Sequence, residues 1–587
     1  VQTCALPILM DKDFEAEVTL HLKRIYKGIN INKKIDVFAK ELINIIGKNK
    51  KFKQPEIGKN LWSEDDIMLI AYGNSINSPG QEPLKTLGNF VSKHYKDLFT
   101  IIHILPFFPF SSDDGFAVMD YYEVDKKLGD WKDIKKISTD FKLMSDLVIN
   151  HISSQSEWFK NFLKDKGKGK DYFLTVDNEI DLNKVFRPRA NDIKKPVKIN
   201  GEDKSVWCTF GHDQIDFDFS NPEVLKEFVS IIKFYLDNGV KLFRLDAIAF
   251  IWKQKGTRCI NLNQTHEIIR LFRTLIDHCY EDIVILTETN ILKRENLTYF
   301  GNSNEAHWIY NFSLPPILIY TMITGDCTRL VQWSMTMPPS QNGTAYLNFI
   351  SSHDGIGLRP AEGILNQKEL DLLVSSIVKL GGKISSRKTP QGKLAAYEMN
   401  ITVVDALSGD KDGFDEFSLE RFMCAHAIML SLEGVPAIYF NALVGTKNDY
   451  IGLEKTKMNR SINRFKWKKD ELSSIMDDKN SHNYIKFNAL KRLIIIRKNQ
   501  KAFHPNASQF TLQLNKKIFG FYRQSTDREQ TIFCLSNVSN KYHSLSLIDL
   551  NIKISGQWKD LISEDSLEFD DNYLHLKPYQ TVWLSNL

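Results

Sequence analysis

Long hydrophobic runs, clustered cysteines and a charge imbalance are all missing from this chain of 587 residues. No apolar stretch approaches the roughly 20 residues of a membrane span, so no membrane partner is expected. The 77 basic and 72 acidic residues leave a formal charge of +5, and they are dispersed. That argues against nucleic acid, which requires a concentrated basic face. The seven cysteines, Cys4, Cys208, Cys259, Cys279, Cys327, Cys424 and Cys534, form no CxxC pair and are odd in number. Neither a disulfide framework nor a zinc site is expected, and a reduced cytoplasm fits best. Residues 1 to 10 are apolar but have no basic start and no small-residue cleavage site, so they do not read as an export signal and are placed outside the fold. The N-x-S/T triplets at Asn296 and Asn537 are read as chance matches. No internal repeat or low-complexity tract stands out.

What is present is alternation. Residues 11 to 58 carry Phe14, Val18, Leu22, Ile35, Phe38, Leu42, Ile45 and Ile46 at helical spacing among lysines, which predicts a helical extension over 1–58. From Ile67 onward eight short strand-like runs alternate with amphipathic helices: IMLIAYG, TIIHILP, KLMSDLVI, VKLFRLD, DIVILTE, AHWIYNF, TAYLNFI and VPAIYF. This is the pattern of an α/β chain folded as a (β/α)8 TIM barrel. The barrel is expected in two parts, 59–151 and 221–504. Between them the Lys/Asp-rich stretch 152–220 is too long for a structureless loop and predicts an inserted subdomain after the third strand. A second insertion, about 355–416, follows the seventh strand. Short alternating runs after the helical segment 483–498 predict an all-β C-terminal domain over 505–587.

Four of the runs end in chemistry: DLVINH (146–151), FRLDA (243–247), LTETN (286–290) and FISSHD (349–354). The C-terminal strand ends of a parallel barrel converge on one face, so Asp246, Glu288 and Asp354 are expected to meet there. Arg244 and Asp246 lie two apart on a strand and leave its same face. A guanidinium so placed is expected to lower the Asp246 pKa, as a nucleophile requires. Glu288, closing the apolar strand IVILT, is expected to be buried with a raised pKa, as suits a proton donor. Two carboxyl groups tuned apart are what glycosyl transfer needs, and a separation of about 5 Å gives retention through a covalent intermediate. Each residue alone has a plainer reading: an aspartate at a strand end as a helix cap, His151 or His353 as a hydrogen-bonded scaffold, Arg244 as a structural ion pair. Their joint occurrence in barrel order favours the catalytic one.

These four segments resemble the motif regions of the α-amylase superfamily, glycoside hydrolase family 13, over nearly the whole chain after residue 60. The resemblance implies that Asp246 is the nucleophile, Glu288 the acid/base and Asp354 a third acid that binds sugar hydroxyls and helps distort the ring. It further implies that His151 and His353 hydrogen-bond the sugar and that Arg244 orients Asp246. The stretches 111–131 and 246–259 look like the sucrose phosphorylase branch of that family, whose members pass a glucosyl unit from an α-glucoside donor to inorganic phosphate. In that branch an Asp-x-Gly-Phe stretch supplies a sugar-binding aspartate and a stacking ring, here Asp113 and Phe116, with Asp114 adjacent. An Ile-Asn-Arg arginine, here Arg464, closes the pocket. The segments THEIIRLF, YNFSLPP and SSHDGIGLRPAEGIL look closer to members that phosphorolyse 2-O-α-glucosylglycerate. A carboxylate-bearing leaving group calls for a cation, and Arg258, Arg359 and Lys447 lie in loops positioned to reach it; the plainer reading of each is a solvated charge.

No cofactor and no metal is expected. A calcium ion at Asn150 is weighed against Asn150 simply hydrogen-bonding its loop, and the latter is preferred. The competing readings are a phosphorylase of sucrose or sucrose 6′-phosphate, a retaining α-glucosidase or transglucosidase on the same barrel, and a non-catalytic carbohydrate-binding barrel. The oligomeric state is not legible.

Overall fold

The computed structural model describes residues 5–176, 182–189, 191–388, 394–550, 558–563 and 572–587. Eight parallel strands close a barrel: β1 (Met68–Ala71), β2 (Ile101–Ile104), β3 (Lys142–Val148), β4 (Val240–Asp246), β5 (Val284–Thr287), β6 (Trp308–Tyr310), β7 (Ala345–Asn348) and β8 (Val435–Tyr439). Each pairs with its neighbour in sequence, and β8 returns to β1. The runs are apolar on both faces because one face fills the barrel and the other meets the helices. The (β/α)8 expectation is met in all eight runs.

Two helices precede the barrel, α1 (Ala5–Ile25) and α2 (Ile35–Ile46). α1 starts inside the ten-residue segment placed outside the fold, which corrects that reading: the backbone from Ala5 is continuous with the amphipathic helix, and residues 1–4 lie outside those described. Phe14, Val18, Leu22, Phe38, Leu42 and Ile46 are buried in the core shared with the barrel. The extension is fastened to the barrel helix Asn263–Cys279 by polar as well as apolar contacts. Phe14 stacks on His278 at 4.2 Å, and His21 Nδ1 lies 2.7 Å from Glu267 Oε1.

Between β3 and β4 the chain forms the helix Glu157–Leu163 and two antiparallel pairs, His151–Ser153 with Gln214–Asp216 and Lys194–Ile199 with Glu202–Trp207. After β7 come the helix Gln367–Lys379 and the hairpin Lys383–Lys388/Leu394–Asn400, whose second strand also pairs with Ile356–Gly357. Beyond the helix His482–Lys498, a five-stranded sheet and a two-stranded pair enclose a separate small core. No helix among the described residues is long and apolar enough to cross a membrane. The six described cysteines are buried and free.

Candidate active site

The C-terminal ends of β3, β4, β5 and β7 deliver their polar residues to one cavity. Asp113, Phe116, His151, Arg244, Asp246, Glu288 and Asp354 all line it. A chain of charge-assisted bonds runs beneath: His103 Nε2 lies 2.7 Å from Asp146 Oδ2, Arg244 Nη1 donates to Asp146 Oδ1 at 2.5 Å, and the same nitrogen donates to Asp246 Oδ1 at 2.6 Å. The buried guanidinium is thus held by one carboxylate and orients the next. Burial pushes the Asp146 carboxyl up, but His103 and Arg244 overcome it and hold the group below its ordinary value.

Asp246 does not follow expectation. Burial raises its pKa, and the opposing pull of Arg244 and His151 does not fully cancel that. The local sequence showed the arginine but not the depth of the site. Glu288 is pushed up to about 7, by burial first and then by the charges of Asp246 and Asp354, against the pull of Arg244. Asp354 goes the other way: burial raises it, but Arg460, with Arg244 and Arg464, holds it well below the carboxylate range. The site therefore pairs an acid that keeps its proton near neutrality with one that stays ionised. Ala247, in left-handed conformation at φ 52°, turns its amide to donate to Glu288 Oε2 at 3.0 Å. That costs backbone strain and fixes Glu288 beside the residue next to Asp246.

The turn before Phe116 is equally constrained. Asp113 and Asp114 have φ of 54° and 47°, and Gly115 has φ 113°. A Cβ on Gly115 would lie 2.7 Å from the Pro106 carbonyl oxygen, so only glycine fits. The two aspartates divide the work: Asp113 lines the cavity, while Asp114 accepts from Arg464 Nη1 at 2.7 Å. Phe116 lies face to face with His353, centroids 5.0 Å apart. His151 Nε2 donates to the Phe116 carbonyl at 3.0 Å. Both ring nitrogens of His353 are buried without a hydrogen-bond partner. Burial pushes this imidazole well below its ordinary pKa, so a neutral ring with unmet valence borders the acids. Its Nε2 stands 3.5 Å from Asp354 Oδ2.

Arg464 is set back from the cavity. Besides Asp114 it donates from Nε to the His353 carbonyl at 2.9 Å, so it braces the FISSHD turn. Of this pair of arginines, the one that lines the cavity is Arg460, one turn earlier. Its guanidinium meets Asp354 Oδ1 at 2.5 Å and Glu398 Oε2 at 2.6 Å. Sequence reasoning missed it, although the spacing Arg460–Arg464 across a short helical turn was available. It also missed Phe186, Arg189 and Gln214 from the first insertion, Tyr397 from the second, and Asn290 after β5.

Asn150 accepts from Lys253 Nζ at 2.8 Å and donates to Asp216 Oδ2 at 3.0 Å. Lys253 Nζ also lies 2.7 Å from Asp216 Oδ2, with both side chains buried. The ammonium thus bridges the β3 end to the first insertion where a cation had been weighed. Among the described residues no group of three or more His, Cys, Asp or Glu is placed to hold a metal ion. Lys253→Met is expected to cost about 3–5 kcal/mol, because Asp216 is left charged and buried. The check is a fall in melting temperature that Asp216→Asn partly restores.

A wider polar trough of about 1060 Å3 lies between α1 and the loop after β5. Its acids Glu267, Glu295 and Glu305 are all engaged by arginine or histidine. It has no free acid pair among the described residues, and the chemistry belongs to the cavity at the strand ends.

A parallel barrel that brings an ionised acid, a proton-holding acid and an arginine-oriented aspartate to the C-terminal strand ends defines a sugar-processing enzyme of the α-amylase type. The family model described as the alpha-amylase catalytic domain matches residues 95–355. The chain is 39% identical over 525 residues to a glucosylglycerate phosphorylase of Allomeiothermus silvanus, covering 89% of this chain and 91% of the relative. It is 30% identical to a sucrose phosphorylase of Streptococcus mutans, covering 69% and 83%. The solved structure of sucrose 6F-phosphate phosphorylase from Thermoanaerobacter thermosaccharolyticum matches with a TM-score of 0.70 at 28% identity, covering 81% of this chain and 94% of that one. The chain belongs to glycoside hydrolase family 13, in its glucoside phosphorylase branch.

Proposed function

We propose that the enzyme phosphorolyses 2-O-α-glucosylglycerate with retention, giving α-glucose 1-phosphate and glycerate. Asp246 attacks the anomeric carbon as Glu288 passes its proton to the departing glycerate oxygen, leaving a glucosyl ester on Asp246. A phosphate oxygen then attacks the same carbon, its proton returns to Glu288, and the Asp246 carboxylate is released. Asp354, Asp113, His151 and His353 hold the sugar hydroxyls, Phe116 offers its ring to the sugar C–H groups, and Arg244 positions Asp246. Arg464 acts from behind, fixing Asp114 and the His353 backbone. Arg460, which the sequence did not single out, holds Asp354 ionised.

The reading rests foremost on the relative named glucosylglycerate phosphorylase, which matches nine-tenths of both chains, whereas the sucrose phosphorylase matches 69% of this one. The acceptor side agrees chemically. Arg189 lines the cavity over the Tyr397 ring at 5.8 Å. A guanidinium there favours a phosphate anion over water as the group that meets the glucosyl ester. The test is a donor panel at fixed phosphate. 2-O-α-glucosylglycerate is expected to exceed sucrose, sucrose 6′-phosphate and 2-O-α-glucosylglycerol by at least tenfold in kcat/KM; a preference for any of the other three assigns a different leaving group.

A further inference from the structure

The sequence offers three loop cations, Arg258, Arg359 and Lys447, to meet a carboxylate on the leaving group, and the structure separates them. Arg258 is half exposed and tied to Glu295 at 3.1 Å. Lys447 is exposed and does not line the cavity. Arg359 is different. It is 6% exposed, yet its buried Nε has no hydrogen-bond partner, and its nearest carboxylate, Glu295, stands at 4.0 Å. A buried guanidinium normally has its donors met by a carboxylate or by backbone oxygens, so this one is incompletely paired.

Its place in the fold connects it to the acids. Arg359 lies five residues after Asp354, at the end of the segment that pairs through Ile356–Gly357 with the Tyr397 strand. Gly357 packs directly on the Asn290 side chain, where a Cβ would come within 2.7 Å. Asn290 lines the cavity, and its Oδ1 is buried and unpaired as well. The Arg359 guanidinium is separated from the cavity by the Phe186 ring, which it covers at 3.9 Å from the centroid; Phe186 is itself a cavity wall. The free space beside the acids is about 70 Å3, well short of the several hundred Å3 of a typical ligand site. A glucosyl unit with a leaving group attached therefore displaces part of this wall. Displacement of the Phe186 ring uncovers the guanidinium.

We infer that Arg359 is the specificity-determining cation of the leaving-group subsite, binding the carboxylate of the departing acid once Phe186 turns aside. This rests on the phosphorolysis of a glucosylated hydroxy acid proposed above. The carboxylate supplies the close anion that Glu295, at 4.0 Å, does not, and a neutral leaving group of the same size leaves Nε without one. Discrimination of that kind comes from the cost of an unmet buried charge as well as from the bond gained.

The test compares kcat/KM for 2-O-α-glucosylglycerate and for 2-O-α-glucosylglycerol, in which a neutral hydroxymethyl group replaces the carboxylate, in the wild type, Arg359→Gln and Arg359→Lys. In Arg359→Gln the ratio of the two is expected to fall by about 10- to 100-fold, chiefly through KM for the charged donor, as loss of a charge-assisted bond implies. Arg359→Lys restores part of the ratio, because the charge returns without the planar fork. A role confined to supporting Phe186 lowers both donors together and leaves the ratio unmoved, and that result overturns the inference while leaving the proposed activity standing. Should Arg359→Gln fail to fold, Arg359→Lys carries the comparison: its ratio falls several-fold if the inference holds and stays at the wild-type value if it does not. A wild type that ignores glucosylglycerate but turns over another donor refutes the activity and this inference together.

Discussion

Asp246→Asn is expected to reduce glucosyl transfer by about 10⁴-fold or more, the scale on which loss of a nucleophile acts when the rest of the site persists. The geometry makes this a clean substitution. Asparagine keeps the shape and one oxygen to accept from Arg244 Nη1, now at 2.6 Å, but cannot form the glucosyl ester. The effect should appear in kcat with every donor, whatever its leaving group. An acceptor-independent experiment gives the same answer by another route: a fluorinated glucosyl donor that accumulates as the covalent intermediate should add one sugar mass to the wild type, located by peptide mapping at Asp246, and none to the variant. Activity within tenfold of wild type in Asp246→Asn, or an adduct elsewhere, would mean that the carboxylates have been assigned the wrong roles.

The second large effect concerns Glu288, whose pKa is pushed up to about 7 from an ordinary 4.5. Expulsion of the leaving oxygen needs the proton, so kcat/KM for the glucoside should fall as pH rises through about 7. Glu288→Gln should lower it by about 10²- to 10⁴-fold. α-Glucosyl fluoride, whose leaving group needs little protonation, should lose far less in the variant and lack the alkaline limb in the wild type. The same shift has a stability consequence of opposite sign. A carboxyl whose folded pKa lies above its unfolded value costs nothing while protonated in both states, then costs progressively more as pH rises from about 4.5 to 7, and a constant amount above that. Glu288→Gln should therefore stabilise the protein by about 1–3 kcal/mol at pH 8 and hardly at all at pH 4.5. A dead but more heat-resistant variant, only on the alkaline side, is the signature; equal melting temperatures at both pH values would show that the carboxyl is not perturbed. The site holds a group at a cost to the fold, as functional sites commonly do.

The strands of the barrel were legible because β3 to β5 and β7 each run as apolar segments into a polar end, a pattern that local sequence carries in full. Asp246, Glu288 and Asp354 could be placed on a common face for the same reason: strand order and parallel pairing suffice. What lay beyond local sequence were contacts made by residues far apart in the chain. Lys253 meets Asn150 and Asp216 across three separate segments. Arg460 bridges Asp354 and Glu398 from a turn after β8. Phe186 and Tyr397 enter from the two insertions, whose strand pairing no period in the sequence announces. The Asp246 pKa was misjudged on similar grounds, since the neighbouring arginine is visible two residues away, whereas the depth of burial depends on what covers the strand end. Asp113 and Asp114 could not be told apart until the left-handed turn showed which one lines the cavity and which one takes the hydrogen bond from Arg464.

The most direct measurement follows the fate of the glucosyl unit from 2-O-α-glucosylglycerate with and without inorganic phosphate, resolving glucose from glucose 1-phosphate and its α from its β anomer. The account predicts α-glucose 1-phosphate in stoichiometric balance with glycerate, formed only when phosphate is present, with free glucose a minor product. Free glucose released at the same rate without phosphate would contradict it and make the enzyme a hydrolase on this barrel, and β-glucose 1-phosphate would contradict the double displacement through Asp246.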